Sequence, residues 1–139
     1  MSGINLVRVL LGGIVAGVVA NAGDFVINTY LLAEDMSRMT TRLGLDRTVV
    51  EASMTTWIVV DFLYGILIVF AYAAMRPRFG AGPKTAVIAG VTLFLAVTVV
   101  LAGFLAMGVF TQDTFAKNVM FGLVVTIAAS LAGGAVYKE

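Results

Sequence analysis

Residues 4–32 read INLVRVLLGGIVAGVVANAGDFVINTYLL, an apolar run of 29 residues interrupted by one basic side chain near its start and by Asp24 near its end. A helix rises 1.5 Å per residue and a bilayer core is about 30 Å thick, so roughly 20 such residues cross it. The run is therefore long enough to span. Its opening also imitates a signal peptide, with Arg8, an apolar stretch from Val9 to Val19 and the small triplet Ala20-Asn21-Ala22. The apolar pattern resumes beyond Asp24 as FVINTYLL, which favours a span over a cleaved leader.

The rest of the chain agrees. Hydrophobic residues make up 60% of the 139 and charged residues 12%, with a mean hydropathy of +1.03, whereas soluble domains carry about 25% charge. Four spans are expected, at about 4–32, 54–75, 85–110 and 115–137, in a single transmembrane domain over 1–139. The fold class is all-α: an integral membrane four-helix bundle. No internal repeat is found.

The one long polar loop is AEDMSRMTTRLGLDRTVVEAS. Met36, Met39 and Leu43 recur in it at helical spacing, which predicts a short amphipathic helix at the membrane interface. Asp46 is placed to N-cap a second helix rising through Val49 and Val50 into span two. In RPRFGAGPK, Pro77 is expected to stop span two, Gly80 and Gly82 to permit a tight turn, and Pro83 to open span three.

Arg8, Arg76, Arg78, Lys84 and Lys138 fall on one side of the membrane, and Arg38, Arg42, Arg47 and Lys117 on the other. By the positive-inside rule this bias of five to four places both termini in the cytoplasm. Arg76, Arg78 and Lys84 read as topology signal and as contacts to anionic lipid headgroups. A formal charge of +1 gives no basic surface for nucleic acid. With no Cys and no His, the sequence has no disulfide, no Ser-His or Cys-His pair and no zinc or haem ligation of the usual kind. No enzyme, metal or cofactor is expected.

Chemistry concentrates in Asp24 and Asp61. Asp24 lies roughly 12 Å, and Asp61 roughly 10 Å, inside the end that meets the long loop. An antiparallel hairpin at that depth sets Asn21 opposite Tyr64, Asp24 opposite Asp61 and Asn28 opposite Trp57. Gly13, Gly17, Asn21, Asp24 and Asn28 form one helical stripe, and Trp57, Asp61 and Tyr64 another. These six polar and aromatic residues form the expected intramembrane cluster. Two facing carboxylates do not both ionise cheaply, so the pair is expected to share a proton. Two readings follow: a proton or cation site, or a hydrogen-bonded clasp in which Asn21, Asn28, Tyr64 and Trp57 satisfy two protonated acids and fix helix pairing. Binding of a lipid or quinone beside Trp57 and Tyr64 is a third.

Small residues line the other spans. Thr85, Ala89, Thr92, Ala96 and Gly103 share one face of span three; Gly122, Thr126, Ser130 and Gly133 or Gly134 share one of span four. Such stripes let helix backbones approach, inside the bundle or between copies of a homo-oligomer.

The stretches RVLLGGIVAGVVANAGDFVIN and YAAMRPRFGAGPKTAVIAG resemble a group of small bacterial four-span membrane proteins. The resemblance covers most of the chain and implies a multi-pass protein of the bacterial inner membrane; it brings no activity with it. By analogy only, the chain is similar to the small multidrug resistance transporters. Those are four-span proteins with one acidic residue in span one that exchanges protons for cationic drugs in a homodimer. This chain has Asp where that family has Glu, lacks its aromatic pattern, is longer and adds Asp61. The function expected first is a non-catalytic accessory subunit of a larger membrane complex, or a self-associating scaffold. The alternative is a proton- or cation-coupled transporter or channel using Asp24 and Asp61. Membrane lipids, and a homo-oligomer or larger membrane complex, are the expected partners.

Overall fold

The computed structural model describes residues 3–138. Met1, Ser2 and Glu139, the ends of the expected 1–139 domain, lie outside the described residues. The elements are α1 (Leu6–Val26), a π-helical turn (Ile27–Leu31), α2 (Ala33–Arg42), α3 (Arg47–Phe79), α4 (Pro83–Ala106) and α5 (Gln112–Val136), with no strand among the described residues. α1 with its π turn, α3, α4 and α5 are each long and apolar enough to cross a membrane. The chain is an all-α, four-helix membrane bundle with a short amphipathic helix, α2, in its first loop.

Local chemistry sets the helix ends. The Asn5 side chain accepts from the Arg8 amide at 3.1 Å and caps α1. Asp46 caps α3 as its position predicts, accepting from the Thr48 amide and the Thr48 hydroxyl at 2.8 Å each. On α2, Met36 and Met39 are half-buried while Glu34, Arg38 and Arg42 are exposed. Leu43, expected on the same apolar stripe, is the exposed C-cap.

Two expected boundaries move. Span two begins at Arg47, so α3 is 33 residues and roughly 50 Å long, and its first turns project beyond a hydrocarbon core of about 30 Å. Nor does Pro77 stop it. The helix continues two residues to Phe79, giving up the hydrogen bond that the Pro77 nitrogen cannot donate. The stop falls at Gly80, whose φ of +83° suits only glycine and whose amide donates to the Arg76 carbonyl at 2.9 Å. The turn is then fastened from inside: the Tyr72 hydroxyl accepts from the Gly82 amide at 3.1 Å, and the Thr85 hydroxyl donates to the Gly80 carbonyl at 2.7 Å. Pro83 opens α4 as expected.

α1 packs on both α3 and α5, and α4 closes the bundle against α5 and α3. The approach is backbone on backbone. A Cβ at Gly65 would lie 2.5 Å from the Gly17 nitrogen and 2.6 Å from the Gly13 oxygen. One at Gly12 would lie 2.7 Å from the Gly133 oxygen, and one at Gly90 would lie 2.8 Å from the Ser130 Cβ. Ser130 donates to the Ala86 carbonyl at 2.5 Å, joining α5 to α4.

Burial is uneven along the bundle axis. In the half nearer the termini the core holds Val9, Ala16 and Ala20 of α1, Ile68, Val69, Tyr72 and Ala73 of α3, Ala86 and Ala89 of α4, and Ala129 of α5. Arg76 sits over the Tyr72 ring at 5.9 Å and the Tyr137 ring at 5.2 Å, and the Tyr137 hydroxyl accepts from the Asn5 amide at 3.3 Å. Towards the long loop α3 and α4 lose their cover, while α1 and α5 stay joined, with Gly23 against Val125 and Ile27, Leu32 and Thr114 buried. Every residue of α3 from Met54 to Val60 is exposed, and α4 buries nothing beyond Phe94.

Two outcomes follow. Gly65→Val should weaken the bundle by about 1–3 kcal/mol in a detergent-unfolding titration, while Gly103→Val, with nothing within 4 Å of its Cβ position, should change little; equal effects would contradict this packing. The two hydrogen bonds from Thr48 hold the Asp46 carboxyl below its usual 3.8. A group lowered on folding stabilises above its unfolded value, so this cap holds α3's first turn above about pH 3.8 and lets go as pH falls through the lowered value. An NMR titration of the Asp46 carboxyl should have its midpoint below 3.8; a midpoint at or above it would remove the cap.

Candidate intramembrane carboxyl site

Asp24 projects from α1 and Asp61 from α3 where the packed half of the bundle gives way to the half in which α3 and α4 are exposed. Their carboxyls lie within hydrogen-bonding reach of each other. Asp61 is buried and Asp24 half-buried.

The backbone register that joins them differs from the expected one. Gly13 packs against Ile66, Gly17 against Phe62, and the Asn21 amide donates to the Ile58 carbonyl at 3.3 Å. Asn21 thus meets Ile58 where Tyr64 was expected, a slip of six residues or roughly 9 Å along the axis. The glycines cause it, since the closest approach falls where Gly65 sits over Gly13 and Gly17. The carboxyls still meet because a helical side chain leans towards its own N-terminus. In an antiparallel pair with this slip, Asp24 leans down and Asp61 leans up, each towards the other.

The slip also redistributes the rest of the cluster. Asn21 spends its amide on the carbonyls of Gly17, at 2.9 Å, and Ile58. Asn28 is exposed and donates to the backbone carbonyl of Asp24 at 2.8 Å. Trp57, at 63% exposed, points away from the bundle. Asn28 and Trp57 therefore do not face each other, and neither reaches the acids. Tyr64 does stay with the pair, close enough to feel the Asp24 charge, and its buried hydroxyl stands beside Thr126 of α5 without completing a hydrogen bond of normal geometry.

Thr126 was expected only as packing. The signal that could have found it is its place on the face of α5 that also carries Ser130 and Gly133. Gly122 rests near Phe94 of α4, with a Cβ position 3.1 Å from the ring. Arg76, expected at lipid headgroups, is instead half-buried over two tyrosine rings. Arg78 and Lys84 are exposed.

At the long-loop end the structure shows a polar network the sequence reading did not assemble. Lys117 of α5 donates to Asp35 of α2 at 3.1 Å and pairs with Asp113 at 2.6 Å. The Thr114 hydroxyl donates to Asp35 at 3.3 Å, and the Arg42 guanidinium donates to the Val109 carbonyl at 2.5 Å. The spacing of Asp113 and Lys117 by four residues carries half of this; the reach of α2 across to α5 is tertiary.

Two carboxyls, a phenol and a threonine hydroxyl can pass or hold a proton and can offer oxygen to a hard cation. Among the described residues no group of three or more acidic side chains converges on a metal-sized site. Asp61→Leu should strip Asp24 of its partner and cost about 1–3 kcal/mol of resistance to detergent unfolding, whereas Asp61→Asn, which still hydrogen-bonds, should stay near wild type. Equal loss in both would deny the contact. No protein-family model, curated protein or solved structure matches this chain.

Proposed function

We propose that this chain is a small, non-catalytic, multi-pass protein of the bacterial inner membrane, with cytoplasmic termini, that carries or conducts protons or a hard cation through the Asp24–Asp61 pair. The observation that supports this most is the loss of the clasp. Of the four side chains that would satisfy the acids, Asn21 and Asn28 are spent on backbone carbonyls, Trp57 is exposed, and Tyr64 completes no hydrogen bond. A packing device would use its donors on the carboxyls. Here the pair lies next to the exposed turns of α3 from Met54 to Val60, the side from which a proton or ion would reach it.

The cytoplasmic placing of the termini rests on charge. On the long-loop side Arg38 pairs with Glu34, Arg47 with Glu51, and Lys117 with Asp35 and Asp113. Arg8, Arg78 and Lys84, at the other end, have no ion-pair partner among the described residues. Counted by number, as the positive-inside rule requires, the basic residues are five at the end that carries the termini and four at the long-loop end.

A second reading, the scaffold or accessory subunit, is favoured by α4. Thr85 and Ala89 of its small-residue stripe are buried in the bundle, but Thr92, Ala96 and Gly103 are exposed on the outer surface. A second copy or another subunit could pack there.

In liposomes loaded with a pH-sensitive dye, the wild-type chain should support proton movement on an imposed ion gradient. Asp24→Asn and Asp61→Asn, folded by circular dichroism, should each reduce it at least about tenfold, as loss of an obligatory titrating group does. Undiminished flux in either variant would remove the carrier reading, and absence of flux in the wild type would leave the scaffold.

A further inference from the structure

The long-loop end holds a cavity of about 350 Å³ between α2 and the α4–α5 turn, separate from the carboxyl pair. Its lining includes Asp35, Arg42 and Asp113, with Met39, Val109 and Phe110 as the apolar part. That volume lies near the lower end of small-ligand sites, roughly 300–1,000 Å³.

The charges around it do not cancel locally. Arg38 is neutralised by Glu34. Lys117 is shared by two carboxylates, Asp35 and Asp113, which leaves one negative charge in excess. Arg42 is held by a backbone carbonyl, that of Val109, and no carboxylate pairs with it among the described residues. One excess cation and one excess anion thus face the same cavity. A guanidinium with donors to spare binds a phosphate oxygen, and a carboxylate binds a primary ammonium. The cavity also lies where α1 has ended and α5 is beginning, among the chain's densest charges, which is the depth of lipid headgroups.

We propose that this cavity binds the phosphoethanolamine headgroup of an aminophospholipid, with Arg42 on the phosphate, Asp113 on the ammonium, and the apolar lining receiving the start of the acyl region. The chemistry recognised is a phosphodiester and a primary ammonium within one small group. A quaternary ammonium offers no N–H to Asp113, and a glycerol headgroup offers no positive charge.

The test is native mass spectrometry of the full chain, delipidated in detergent and titrated with phosphatidylethanolamine, phosphatidylcholine and phosphatidylglycerol of identical acyl chains. Phosphatidylethanolamine should bind at least about tenfold more tightly than the other two, the scale of one charge-assisted hydrogen bond. Asp113→Asn should erase that preference while Lys117 keeps α2 attached through Asp35. Arg42→Gln should weaken all three lipids, and Arg42→Lys, which keeps the charge, should retain part of the binding and guards against a simple folding defect. Equal binding of the three lipids, or a preference that survives both Asp113→Asn and Arg42→Gln, would overturn the proposal. A parallel titration with soluble glycerophosphoethanolamine distinguishes the sources. Binding with the same dependence on Arg42 and Asp113 upholds the site with a ligand from solution; no binding, beside a bound phospholipid, upholds it with a ligand from the bilayer.

Discussion

The contact on which the rest depends is that of Gly65 in α3 against the backbone of α1 at Gly13 and Gly17. With no Cβ on either side the two helices close to the point where a methyl group would meet main-chain atoms at 2.5–2.6 Å. In lipid the hydrophobic effect does not press helices together, so close van der Waals approach of this kind is the main attraction available. It sets the register of α3 on α1, and through that register everything polar within the bundle. Because Gly17 must meet Phe62 and Gly65, Asn21 is carried to Ile58, Trp57 is turned outward, and Asp24 and Asp61 are left to meet through the lean of their side chains.

The same contact explains where the bundle is tight and where it is open. Most of the inner-face glycine and alanine lies in the half nearer the termini: Gly12, Gly13, Ala16, Gly17 and Ala20 in α1, Gly65 and Ala73 in α3, Ala86, Ala89 and Gly90 in α4, Ala129, Gly133 and Gly134 in α5; Gly23 against Val125 and Gly122 near Phe94 continue it towards the long loop. Before Asp61 in α3 and past Phe94 in α4 the helices lose their cover, whereas α1 and α5 stay joined, with Gly23 on Val125 and Ile27, Leu32 and Thr114 buried. On insertion scales an Asp at mid-membrane costs about 2.5–3.5 kcal/mol, against roughly 0.3–0.6 returned by each Leu, Ile, Val or Phe. Each span has enough of the latter to insert with one carboxyl. Placed at the mouth of the packed half, the two acids also bear less of that cost than they would inside it.

Much of this was legible in the sequence, and for a physical reason: bilayer thickness and backbone hydrogen bonding leave few options to a chain this apolar. Composition and run length were enough for four spans, and Met36, Met39 and Asp46 for α2 and the start of α3. The stripes of Gly13, Gly17, Asp24 and Asp61 pointed to the α1–α3 face. What the sequence could not carry was axial offset. A constant-register hairpin assumes that the loop decides which residues face, whereas α3 begins at Arg47, seven residues ahead of the expected span at Met54, and the glycine contact decides instead. From that one displacement follow the outward turn of Asn28 and Trp57 and the arrival of Thr126 beside Tyr64. The tyrosine contacts of Arg76 were illegible for a different reason, since charge alone says headgroup, and only the folded chain shows two tyrosine rings beneath the guanidinium.

The two ends of the bundle are therefore held by different forces, and this bears on where motion can occur. At the terminal end Tyr72, Arg76 and Tyr137 stack over a core without room for a methyl group, and Tyr72 and Thr85 pin the α3–α4 turn. At the other end α2 is fastened by partly exposed ion pairs and the Arg42–Val109 hydrogen bond, contacts that water and salt weaken. The π-helical turn at Ile27–Leu31 joins the two regimes, three residues beyond Asp24 and with the Asn28 amide on the Asp24 carbonyl. π turns break the regular ladder of a helix and recur at functional sites. α2 is held to the bundle by weaker contacts than those of the glycine-packed α1–α3 face.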